Sequence, residues 1–67
     1  MTIAERYAFL SCLKQFIDDR ICESDRAVVK QLISNYEASG SEYDLNVLIA
    51  FLEDNAGGVL SDVYRMM

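Results

Sequence analysis

Apolar residues fall into four blocks, separated by short polar or glycine-containing breaks. In the first block Ile3, Tyr7, Leu10, Leu13, Ile17 and Ile21 recur three or four residues apart, the spacing of one helix face. Phe9, Cys12 and Phe16 widen that stripe, while Glu5, Ser11, Gln15, Asp18 and Asp19 form the polar face. Thr2 and Glu5 stand at the separation of a capping box, in which each side chain satisfies the other residue's free N–H. The pattern predicts a helix over about 3–22. Its stripe is wide enough to touch two neighbours.

Cys22-Glu23-Ser24-Asp25 reads as a break, with Ser24 as N-cap and Asp25 favoured by the positive end of the next helix dipole. A second helix is expected over about 25–38, with Val28, Val29, Leu32, Ile33 and Tyr36 inward and Lys30 and Glu37 solvated. Ser39-Gly40 ends it, because glycine readily takes the left-handed conformation past a helix terminus. Ser41 and Asp44 form a second capping-box pair before a third helix over about 42–54. The run from Leu45 to Leu52 is nearly apolar all round. Periodicity alone also allows a buried strand there. The flanking caps and the lack of a partner strand favour a centrally placed helix, with Leu32, Leu48, Ile49 and Leu52 in the core. Ala56-Gly57-Gly58 is the strongest breaker. Beyond it Val59, Leu60, Val63, Tyr64 and Met67 fit one face of a short helix or turn over about 60–66.

Short connections imply antiparallel neighbours. The fold class expected is therefore all-α: one helical domain over 1–67, a small three-helix antiparallel bundle with a short C-terminal helix or turn.

Composition changes this picture in one respect. Hydrophobic residues make up 52% of 67, and a domain of roughly 60 residues buries only about 60% of the surface its unfolded chain exposes. Part of the apolar surface is expected to meet a partner, so a homodimer is anticipated. Seven aromatic residues are many for so small a core, and aromatics are enriched at interfaces. The contact surface is expected on the first helix and the tail, at Tyr7, Phe9, Phe16 and Tyr64. On that reading Phe9→Asp weakens association and leaves helicity largely intact.

Charge and chemistry mostly exclude. The net charge is −5, and the six basic residues are spread among acids, which argues against binding through nucleic-acid phosphates. The second and third helices superficially resemble a helix-turn-helix, but the third opens Glu42-Tyr43-Asp44 and turns apolar where base-reading side chains would be needed. There is no histidine, so its acid–base chemistry and the commonest metal ligand are missing. Asp18-Asp19, Glu42/Asp44 and Glu53-Asp54 read as solvated carboxylates. Asp54–Gly58 fails as a calcium loop, since Ala56, Gly58 and Arg65 fall where ligands are required. Cys12 and Cys22, ten residues apart, are expected on one helix about 15 Å apart, too far to bridge. They read as reduced thiols of a cytoplasmic protein, an intermolecular disulfide being the alternative. No signal-peptide pattern and no apolar run of membrane-spanning length is present. No enzyme activity, cofactor or metal is expected.

Within residues 23–53, Ala27-Val28, Gln31, Asn35 and Ser39-Gly40, followed by a leucine- and isoleucine-rich helix ending Leu52-Glu53, resemble the YmgA/AriR/YcgZ family of small biofilm and acid-resistance regulators, the two-component-system connectors. The resemblance covers less than half the chain. The connection after Gly40 is shorter than the family's, the aromatic first helix has no counterpart, and the tail is shorter. The resemblance implies a helical dimer that modulates a signalling or transcription protein. The expected function is thus a small acidic, non-enzymatic regulator or adaptor working by protein–protein contact. The alternative is a small phage- or plasmid-encoded regulator that binds DNA weakly or mimics it to inhibit a host protein.

Overall fold

The computed structural model describes residues Met1–Met67 and places them in four α-helices with no strand: α1 (Ile3–Arg20), α2 (Glu23–Ser39), α3 (Glu42–Asn55) and α4 (Gly57–Met66). The N-terminal signal of α1 forms as its sequence dictates. The Thr2 amide donates to Glu5 Oε1 at 2.8 Å and the Glu5 amide donates to Thr2 Oγ1 at 3.1 Å.

The other boundaries differ from the sequence reading, each for a local reason. The first helix stops at Arg20, two residues early, because the Arg26 side chain takes up its terminal carbonyls. Arg26 donates to the carbonyl oxygens of Ile17, Asp18 and Ile21 at 3.2, 3.0 and 3.2 Å. A cation on the last turn satisfies orphan acceptors and opposes the negative end of the dipole. That clamp draws the start of α2 forward, so Cys22 rather than Ser24 is its N-cap residue, with no side-chain cap. The Arg26 amide instead donates to the Cys22 carbonyl at 2.8 Å. Cys12 and Cys22 therefore lie on different elements, and both are free thiols.

Gly40 ends α2 at φ 67°, and its amide donates to the Tyr36 carbonyl at 2.7 Å. An L side chain there would carry the left-handed penalty of its own backbone. The Ser41–Asp44 box is only half made. Ser41 Oγ accepts from the Tyr43 amide at 3.1 Å, but the Asp44 carboxylate accepts from the Ser39 hydroxyl, whose oxygen accepts from the Ser41 amide at 3.1 Å. The result is a polar clasp across the turn.

The tail forms a helix, one of the two forms expected of it, and starts at Gly57 rather than near residue 60. The Ala56-Gly57-Gly58 breaker shrinks to one residue, Ala56 at φ −150° and ψ 48°. Gly57 and Gly58 begin α4 instead of preceding it, because the absence of their side chains is harmless in a first turn held by Leu60 N–H donating to the Ala56 carbonyl at 3.0 Å. Val59, Leu60 and Val63 are all buried.

The helices pack in a ring. Each contacts its neighbours in the chain, and α4 closes back on α1. No Cα pair joins α1 to α3 or α2 to α4 within 8 Å. One core of thirteen apolar side chains fills the ring, and nothing polar or charged is buried in it. Phe9, Leu13, Val29, Leu48, Leu52 and Val63 are fully enclosed. Leu32 and Ile49 only flank the core. Helix α3 is not buried on most sides: Leu45, Leu48 and Leu52 face inward, and Ala50 is exposed. No helix is long and apolar enough to cross a membrane.

Candidate interaction surface

Three contacts show which helix ends lie together. Arg6 Nη2 sits 3.9 Å from Glu42 Oε2, joining the starts of α1 and α3. Tyr7 and Leu10 line a groove with Tyr36 and Gly40 at the end of α2. The Phe9 and Tyr64 rings lie 5.8 Å apart at a 40° tilt, which brings the end of α4 to the first half of α1.

This end collects the exposed apolar surface. Eight large hydrophobic side chains are exposed, and only Val28 lies elsewhere. Ile3, Tyr7 and Tyr43 are 72%, 79% and 74% exposed, and Met1, Tyr64, Met66 and Met67 complete the set. Ile3 and Tyr7 face outward from the first two turns of α1, whereas the Arg6 side chain is largely covered beside Glu42 and Phe9 is enclosed, so the 3–7–10 spacing runs from solvent into core. Exposed apolar side chains gathered at one end are a common feature of contact sites.

Of the four residues expected at the interface, the structure brings two to this surface. Tyr7 stands at it fully, and Tyr64 is partly exposed there. Phe9 does not. It is 0% exposed and belongs to the core, because the α1 face that carries it turns toward α4. The expectation for Phe9→Asp is corrected accordingly: a charge there breaks the core. Phe16 is half-buried against the core, and the Arg20 guanidinium lies 5.2 Å above its ring. Arg20 also pairs with Asp62, so Phe16 belongs to the α1–α4 seam. Sequence reasoning missed Tyr43 and Ile3. A helical wheel of α3 finds Tyr43, which lies opposite the Leu45, Leu48 and Leu52 face.

The groove between α1 and α2 encloses about 400 Å³. Lys14 Nζ meets Glu37 Oε2 across it at 3.0 Å. Beyond that bridge a shallower groove of about 290 Å³ continues past Ile17 and Ile33.

Asp18, Asp19, Glu23, Asp25, Glu53 and Asp54 belong to the opposite helix ends, with Arg20, Arg26 and Lys30 among them. All six basic side chains lie within 4.0 Å of a carboxylate: Arg6 with Glu42, Lys14 with Glu37, Arg20 and Arg65 with Asp62, and Arg26 and Lys30 with Asp18. The hydrogen bond from Arg20, with the nearby charges of Arg20 and Arg65, holds the Asp62 carboxyl below the usual carboxylate range. The Thr2 backbone amide and then its hydroxyl do the same for Glu5. Arg6 keeps one buried nitrogen, Nε, without an acceptor. No group of three or more cysteine or carboxylate side chains is placed to hold a metal ion.

Comparison with family models, with curated proteins and with solved structures found no match to this chain.

Proposed function

We propose that this chain is a small acidic regulator or adaptor without enzymatic activity, which works in the cytoplasm as a homodimer and through protein–protein contact. The observation that carries the reading is the gathering of seven of the eight exposed large hydrophobics at one end of the helices. The reading supports the modulation of a bacterial signalling or transcription protein, in line with the resemblance to the YmgA/AriR/YcgZ connectors. Pairing of every basic side chain favours protein over nucleic-acid phosphate as the partner.

The experiment is affinity capture from bacterial extract with the wild-type chain and with a Tyr7→Glu/Tyr43→Glu double variant. A partner held by the first and lost by the second supports the reading. A partner held equally by both, or release of a reaction product from any substrate, overturns it. A second reading has its own observation, the six carboxylates at the opposite ends. They favour DNA mimicry toward a basic protein, and competition with duplex DNA for the captured partner tests it.

A further inference from the structure

We infer that the homodimer forms by exchange of α4: the break at Ala56 straightens, α3 and α4 become one helix, and each α4 docks on the α1 and α3 of the other copy. This deepens the homodimer reading above and rests on it.

The first ground is the connection. A single residue, Ala56, leaves helical geometry between α3 and α4. The hydrogen-bond pattern already runs up to it from both sides. Its amide donates to the Leu52 carbonyl at 2.7 Å, and its carbonyl accepts from the Leu60 amide at 3.0 Å, each four residues away as in an α-helix. Straightening needs a change of backbone angles at the break alone. Gly57 and Gly58 have open space around them, and the chain holds no proline to interrupt a continuous helix.

The break is also poorly capped on both sides. Glu53 and Asp54 occupy the last turn of α3 with no basic residue beside them, so they face the negative end of its dipole. Helix α4 begins with no side-chain cap and no acidic residue in its first turn. A continuous helix moves both carboxylates to mid-helix and offers the first amides of α4 the last carbonyls of α3 as acceptors. Two glycines in a helix interior oppose this gain. The bent and straight forms therefore lie close, and protein concentration shifts the balance toward the exchanged dimer.

The second ground is the seam. Helix α4 buries Val59, Leu60 and Val63, sets Tyr64 beside Phe9 and pairs Asp62 with Arg20. Exchange remakes each of these contacts between copies, so no new surface has to match. That is why swapping an identical element is a low-cost route to a dimer. The apolar end then becomes composite, with Met1, Ile3, Tyr7 and Tyr43 of one copy beside Tyr64, Met66 and Met67 of the other.

Sedimentation equilibrium, with helicity recorded beside it, tests this. The wild-type mass should rise with concentration from 7.6 kDa toward twice that value. Gly57→Ala/Gly58→Ala, which favours the continuous helix, should tighten the dimer about tenfold or more. Gly57→Pro should dissolve it, because proline suits the first position of a separate helix and breaks the interior of a long one. If the proline variant loses helicity, a Gly-Ser insertion after Ala56 replaces it, since a longer connection lets α4 reach back to its own copy. Charge reversal reports exchange itself. Arg20→Asp and Asp62→Arg chains each set like charges together at their own seam. When the two are mixed, only exchanged α4 helices bring opposite charges together, so the mixture should dimerise more than either chain alone. A dimer untouched by Gly57→Pro, or a mixture no heavier than its components, overturns exchange and leaves the homodimer standing. A mass of 7.6 kDa at every concentration, for the wild type and the alanine variant alike, overturns both, while the capture experiment still judges contact with another protein.

Discussion

Replacing Phe9 by alanine is the sharpest probe of the ring, because the sequence pattern and the packing assign that residue opposite roles. The side chain is fully enclosed, and its ring lies 5.8 Å from Tyr64. Truncating a buried phenylalanine to alanine costs about 3–5 kcal/mol. The aromatic pair accounts for about 0.5–1.5 kcal/mol of it. A domain of this length is stable by roughly 3–10 kcal/mol, so the variant should lose between about a third and all of its stability. With a urea slope of about 1 kcal/mol/M, the midpoint should fall by about 3 M or vanish. Urea titration followed by circular dichroism measures this. A double-mutant cycle with Tyr64→Ala should return a coupling of about 0.5–1.5 kcal/mol between the two rings. An unchanged midpoint, with weakened association, would refute the placement of Phe9 in the core and of α4 against α1.

Other consequences are equally direct. Leu48→Asp should leave the chain unfolded, since an unpaired charge in the enclosed position of α3 has no partner and no water; loss of the helical signal checks it. Arg26→Met should cost about 1–3 kcal/mol, because it orphans the carbonyls of Ile17, Asp18 and Ile21 while keeping much of the apolar stem; the thermal midpoint reports it. Asp62, whose carboxyl is held below its ordinary range by Arg20, stabilises the fold fully above the unfolded carboxylate range and loses that contribution as pH falls through its folded value. Asp62→Asn should therefore lower the thermal midpoint near neutrality and flatten its decline below about pH 4.

Local signals were legible where one residue type has one physical use. Thr2 with Glu5 had to cap a helix, and Gly40 had to end one. The helical reading of the run from Leu45 to Leu52 also holds, because capped ends decide what periodicity leaves open. Tertiary decisions were less legible. Phe9 and Tyr7 both sit on the apolar side of α1, and no spacing says which neighbour covers which residue; α4 covers Phe9 and leaves Tyr7 to solvent. Arg26 reads as one scattered cation among six until the α1 terminus is seen folded against it. The glycines after Ala56 read as a break because glycine is a poor helix former, yet at a first turn its cost is small and the burial of Val59, Leu60 and Val63 outweighs it. The apolar end itself is invisible in the linear pattern, since its members come from three helices and both flanking segments.

The ring has a kinetic meaning. Three of its four seams join helices adjacent in the chain, and only the α1–α4 seam brings distant segments together. A chain built this way loses little loop entropy before each contact forms, so it belongs with the fast folders, which reach the native state in microseconds to milliseconds. The closing seam has the longest loop to shut. It is the natural last step of folding and the natural first step of opening, with Asp62 and Arg20 as its outer latch.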